Sequence, residues 1–203
     1  HGELSIHYQP IVHARSGRVA SVEALVRWQH PSLGLLAPGQ FLPAAERADL
    51  MVDIGRLVLA EACADLATWR ERWPHLALAV NVSERELLHP GFADHVIETL
   101  RAHALPAWAL HLELTETVAV NEETIAAVLE PLASSGVALS IDDFGTGHSS
   151  LHRLNRLRRL QVQRLKIDKS FVDEIDGAEQ GAGPLLVSMI ALAHSVGHSV
   201  VAE

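Results

Sequence analysis

The chain has 203 residues, with 25 acidic side chains against 16 lysines and arginines, a formal charge of −9 with histidines neutral. Hydrophobic residues make up 48% and charged residues 20%, the balance of one globular domain over residues 1–203 with a sizeable core, which excludes a disordered or fibrous chain. The single cysteine, Cys63, excludes a disulfide framework and a cysteine zinc cluster, and no apolar run approaches the roughly 18–20 residues of a membrane span. With no secretory pattern at the N-terminus, the expectation is a soluble cytoplasmic segment without membrane contact. The acidic balance also disfavours a nucleic-acid polymer, whose affinity rests on Lys and Arg.

The periodicity predicts strands over residues 4–12 and 21–29, joined by HARSGR with Ser16-Gly17 as the turn, and so an antiparallel hairpin. Helices follow over 40–49 and 53–72. The second carries Leu57, Val58, Ala60, Ala64 and Leu66 at three- and four-residue spacing, with Trp73-Pro74 beyond its end and Cys63 in its core pattern. Next come a strand at 76–83, a helix within 91–104, a strand at 110–116 and a helix at 122–134 with Gly136 as its C-cap. Strands at 137–143, 164–168 and 199–203, with a helix over about 183–196 before the last, complete seven strands. After the hairpin, each consecutive pair is separated by a crossover long enough for parallel pairing, which makes the chain α/β.

Polar residues recur at the C-terminal ends of these strands: Glu23, Asn81, Glu113 and Glu116, Asp142 and Asp143, Lys166 and Asp168, and Glu203. A doubly wound sheet draws its site from two or three strands at a switch point, whereas a barrel gathers all its strand ends at one face. The barrel is therefore expected: a (β/α)8 TIM-type barrel with an antiparallel first strand. A barrel of this type runs to about 250 residues, so an eighth strand and helix are expected to be missing from this chain.

Six converging carboxylates would repel one another unless cations sit among them, and all-oxygen donors favour Mg2+ or Mn2+ over zinc. Adjacent Asp142 and Asp143 reach one site only where the strand ends and the backbone turns, and Gly145 and Gly147 are the residues expected to turn it. Asp142 is then placed to bridge two ions about 4 Å apart, as in two-metal hydrolases. Lys166, inward between apolar neighbours, either holds a water or phosphate oxygen or is a salt-bridge partner for Asp142, Asp143 or Glu203. Arg27 shares a strand face with Glu23 and Leu25 and suits either bidentate phosphate contact or a rim ion pair. The pairs His194/His198 and His148/His152 have zinc-site spacing but no accompanying glutamate, and read as surface or packing residues. The tract from His152 to Arg164 carries Arg153, Arg156, Arg158, Arg159 and Arg164, a solvated face or dimer rim.

The strings YQP at 8–10, VEALVRW, NVS at 81–83, ELTE at 113–116, DDFGTGHSSL at 142–151, LKIDKSFV at 165–172 and VVAE at the end resemble, in order, the EAL domain family of cyclic di-GMP phosphodiesterases. The resemblance implies hydrolysis of cyclic di-GMP to linear pGpG by a water activated between two Mg2+ or Mn2+ ions, with Ca2+ inhibitory. It implies metal ligation by Glu23, Asn81, Glu113, Asp142 and Asp143, and catalytic roles for Glu203, Lys166 and Glu116, the last anchoring the loop that follows Asp143. It implies substrate contacts from Gln9, Leu25 and Arg27. It further implies a homodimer and an upstream sensor or GGDEF domain in a parent signalling protein. A catalytically silent cyclic di-GMP receptor is the alternative reading. Three departures from the family pattern stand out: about three extra residues between Asp142 and Lys166, His148 where tyrosine is usual, and the absent last strand.

Overall fold

The structure, a computed structural model, describes residues 2–115, 122–145, 160–176 and 182–202. Strands β1 (Leu4–Val12) and β2 (Val19–His30) form the expected hairpin, antiparallel with Gln9 opposite Glu23. Its turn closes where the Arg18 carbonyl accepts from the His13 amide at 2.8 Å, and Gly17 takes a φ of 65°, open to glycine without a Cβ clash. A short strand that periodicity did not predict, β3 (Gly34–Leu36), pairs with the far end of β2. Helix α1 (Pro38–Arg47) starts with proline in its first turn, and the Gln40 side chain accepts from the Ala37 amide at 2.8 Å.

Helix α2 (Met51–Arg70) buries Val58, Leu59, Ala62, Cys63 and Leu66. That stripe is rotated from the expected one: Leu57 is 36% exposed and Ala60 and Ala64 face outward. The pattern i, i+1, i+4, i+5, i+8 through Cys63 makes the wider apolar band, and that band packs on the sheet. Cys63 is core, its thiol pushed up to about 12 by burial.

The sheet continues through β4 (Ala77–Val82), β5 (Leu110–Thr115), β6 (Ala138–Phe144), β7 (Arg164–Ile167) and β8 (Ser199–Ala202). Every pairing from β2 to β4 onward is parallel, in the order β1-β2-β4-β5-β6-β7-β8 with β3 on β2. The crossovers carry α3 (Glu84–Leu87), α4 (Phe92–Ala102), α5 (Glu122–Ser135), α6 (Lys169–Asp176) and α7 (Ala182–Ser195). Helices α3 and α6 are additions to the sequence expectation. Among the described residues β1 and β8 remain the two edges, so the sheet curls as a part-barrel.

The two faces of the parallel strands differ in chemistry. Leu78, Val80, Leu112, Leu114, Leu139, Ile141 and Leu165 are buried with Leu66 of α2, Val96 of α4 and Leu129 and Leu132 of α5 in one core. The alternate residues, including Glu23, Asn81, Glu113, Asp142 and Lys166, point to the concave side. Helices thus hold the sheet from outside, and the inside is left for polar groups.

Candidate functional site

Three carboxylates from three strands meet at the C-terminal side of the sheet. Glu23 of β2, Glu113 of β5 and Asp142 of β6 each present an oxygen, all within 4.8 Å of one another. Register explains the meeting: Glu23 pairs with Ala79, Asn81 with Glu113, and Thr115 with Asp142, so parallel neighbours carry their acids to adjacent heights. The Lys166 ammonium from β7 sits among them, 2.9 Å from Glu113 Oε2, 3.1 Å from Glu23 Oε2 and 3.2 Å from Asp142 Oδ1. Lys166 and Glu113 are each 1% exposed. Asn81 Nδ2 donates to the other Glu23 oxygen at 2.7 Å.

Of the two readings of Lys166, the salt bridge is present, but with Glu23 and Glu113 besides the expected Asp142. Among the described residues one ammonium faces three carboxylates, so with all three ionised the group carries a net charge of −2. Burial pushes the Glu113 carboxyl up to about 8, with Lys166 opposing and Glu23 and Asp142 adding to the rise. Glu113 Oε1 is buried without a hydrogen-bond partner. Hard-oxygen donors gathered from three strands, with more carboxylates than cationic side chains, fit a divalent cation of the Mg2+ or Mn2+ class. The residues that could hold one are Glu23, Glu113 and Asp142, with Asn81 alongside.

Asp143 lies next to this triad, not in it. Its own backbone turns, with φ of 53°, and the pairing register of β6 and β7 breaks between Ile141 and Phe144. The strand therefore does not wait for Gly145 to end: a left-handed residue inside it delivers both aspartates to the same side, a conformation Asp tolerates better than most side chains. The Asp143 amide donates to Asp142 Oδ1 at 3.0 Å. The Asp143 carboxyl hydrogen-bonds Asp168, and burial, then the charges of Asp142 and Asp168, push it up. Asp168 is held low, first by the Ser170 side chain and backbone, whose amide donates to Oδ1 at 3.0 Å. Two carboxyls this close repel when both are ionised, so a cation bound between them would relieve the repulsion. Asp168 is the partner that sequence reasoning placed at a strand end but gave no role. Its position two residues after Lys166 in RLKID was the available signal.

Gln9 is exposed on β1, directly opposite Glu23. Leu25 and Arg27 are half-buried on β2, and the Arg27 guanidinium donates to the Val26 carbonyl at 2.9 Å. Glu116, Glu203, Gly147, His148, His152 and Arg153 to Arg159 lie outside the described residues. His198 is a packing residue, buried with Nδ1 2.9 Å from the Val162 carbonyl. Arg164 contradicts the solvated-face reading of its tract: it opens β7, and burial lowers its guanidinium's pKa while the charge of Glu113 opposes that fall.

The model of the EAL domain matches residues 1–203. The bifunctional diguanylate cyclase/cyclic di-GMP phosphodiesterase MucR of Pseudomonas aeruginosa is 41% identical over 99% of this chain and 29% of its own length. A second protein of that organism, named as a cyclic di-GMP phosphodiesterase, is 36% identical over 97% of this chain and 33% of its own. The chain thus spans about a third or less of both relatives. Among solved structures, the PaMucR phosphodiesterase in complex with c-di-GMP superposes with a TM-score of 0.91 at 40% identity, covering 98% of this chain and 80% of that one. The EAL enzyme Bd1971 in its cAMP and cyclic-di-GMP bound form gives 0.92 at 30% identity, covering 99% and 55%.

Proposed function

Because this chain belongs to the EAL domain family, we propose that it hydrolyses cyclic di-GMP to linear pGpG in a metal-dependent reaction. The observation that carries the reading is the set of Glu23, Glu113 and Asp142, three carboxylates converging on the single ammonium of Lys166 among the described residues. A silent receptor needs no such set, whereas a phosphodiester hydrolase does. Two bound Mg2+ or Mn2+ ions would supply an activated water and stabilise the leaving oxygen.

The chain's own residues do the rest. Glu23, Asn81, Glu113 and Asp142 would hold the first ion and Asp143 the second, and Glu203 would keep the catalytic role that the resemblance implies. The Lys166 ammonium, which sits among these carboxylates, would orient the attacking water beside the phosphorus. Attack breaks one P–O3′ bond, and the freed 3′ oxygen takes a proton, leaving the linear dinucleotide. Arg27 turns from the Val26 carbonyl to a phosphate, and Gln9 and Leu25 line the same face of the hairpin. Glu116 would keep the role that the resemblance implies, anchoring the chain that follows Asp143. As in the relatives, where the matching segment is part of a longer protein, this domain would be the output module of a cytoplasmic signalling protein bearing a sensor or GGDEF domain, and would work as a homodimer.

The test is chromatographic detection of pGpG after incubation with cyclic di-GMP and Mn2+ or Mg2+, with Ca2+ as the non-supporting ion. Product with Mn2+ or Mg2+ that disappears in Glu23→Gln supports the assignment. Binding of the dinucleotide with no product under any ion would replace it with the receptor reading.

A further inference from the structure

Below the carboxylates the concave side of the sheet is polar, where α/β barrels are ordinarily filled by branched aliphatic side chains. Two residues before Glu23, Glu113, Asp142 and Lys166 on their strands stand Ser21, His111, Ser140 and Arg164, on the same face by strand alternation. Ser21 Oγ, His111 Nδ1, Ser140 Oγ and Arg164 Nη1 are all buried without a hydrogen-bond partner, and so is Glu113 Oε1. Five of the seven such atoms among the described residues therefore face one interior.

Three of them form a row. Glu113 pairs with Ser140, and Ser140 with Arg164, across β5, β6 and β7. Neighbouring strands lie about 4.8 Å apart, so the carboxylate and the guanidinium stand on either side of a serine too short to fill the space between two long side chains. The electrostatics agree with that proximity: the charge of Glu113 acts on Arg164, and the charge of Arg164 acts on His111. A guanidinium stays protonated in a protein and must have acceptors. In this row the acceptor without a partner is Glu113 Oε1.

We propose that Arg164 is a positioning residue for the metal-binding carboxylate Glu113, its guanidinium reaching Oε1 through a water seated over Ser140. The proposal rests on the metal-dependent reading above. With Oε1 held from below, Oε2 is fixed toward Glu23, Asp142 and Lys166, the direction from which a cation is bound. Outer groups of this kind orient metal ligands, and their loss typically weakens metal binding by roughly 10–100-fold.

The experiment is Mn2+ titration by calorimetry on the chain, with no substrate present. Arg164→Met, which keeps an unbranched chain of similar length, is expected to raise the Mn2+ Kd by roughly tenfold or more, and Arg164→Lys to recover part of that loss. A folded Arg164→Met chain with unchanged Mn2+ affinity overturns the proposal and makes Arg164 a packing residue. Should Arg164→Met not fold, a crystal structure of the unsubstituted chain decides: a water within hydrogen-bond distance of both Arg164 Nη1 and Glu113 Oε1 supports it, and a guanidinium bonded elsewhere overturns it. An unsubstituted chain that took up no Mn2+ would instead sink the metal-dependent reading, a failure visible before any variant is compared.

Discussion

Replacing Lys166 by methionine tests whether the ammonium stands in for a cation. Methionine fills nearly the same unbranched volume, so the change is chiefly of charge. In the folded chain it leaves Glu23, Glu113 and Asp142 facing one another with the contacts of 3.1, 2.9 and 3.2 Å to Nζ gone. Removing one partner of a buried ion pair costs about 3–5 kcal/mol, since the remaining charge is left uncompensated. At roughly 2–4 °C per kcal/mol for a chain of this size, Tm should fall by roughly 6–20 °C in EDTA. With saturating Mn2+ the cation supplies the missing charge, and the variant should recover most of that loss. Thermal and urea unfolding of both proteins, with EDTA and with Mn2+, measures the four stabilities needed. An equal loss under both conditions would refute the reasoning, as would no loss in EDTA. The same variant should slow hydrolysis more than it weakens cyclic di-GMP binding, which separate turnover and equilibrium titrations would read.

Other outcomes follow from single side chains. His111 is lowered from 6.5 to about 4, first by burial and then by Arg164, so the unfolded chain binds its proton more readily. Its contribution to stability is complete above pH 6.5 and is lost as pH falls toward 4, by about 3 kcal/mol from the linkage relation; His111→Leu should remove that part of the acid sensitivity in urea titrations at pH 7 and pH 4.5. Glu113→Gln should abolish metal-dependent turnover and leave Mn2+ calorimetry without a high-affinity phase, whereas retained tight binding would remove Glu113 from the ligand set. Gly55→Ala should destabilise by about 1–3 kcal/mol in urea unfolding, because the added Cβ would overlap Glu86 Oε1 and drive that buried carboxylate from its 3.0 Å bond with the Ser83 amide. Wild-type stability in Gly55→Ala would show that Glu86 has another place to go.

Much of this protein is local in origin. The order of strands and helices follows from apolar period and turn residues, because those signals act over a few residues and survive without any partner. The acids at strand ends were visible for the same reason: their spacing from each apolar run fixes which end of the strand they occupy. The antiparallel opening pair needed only the short Ser16-Gly17 turn, and the core role of Cys63 only its place in a helical apolar pattern. The buried stripe of α2 keeps the expected Val58 and Leu66 but takes Leu59 and Ala62 in place of Leu57, Ala60 and Ala64, since a wide apolar band leaves its rotation to be chosen by the sheet it meets.

What the sequence left open were relations between strands. Register decided that Lys166 would be shared by Glu23, Glu113 and Asp142, a choice no spacing along the chain encodes. A left-handed backbone at Asp143, where the pairing between β6 and β7 breaks, set it beside the triad and against Asp168. Arg164 looked like one more residue of a basic tract, yet the strand it opens turns it into the barrel beside Ser140 and Glu113. Composition and periodicity thus determined the long elements and their order, but not the short β3, α3 and α6. Only the tertiary structure decided which charges face each other, because parallel pairing joins residues tens of positions apart and the two faces of every strand differ by a single step.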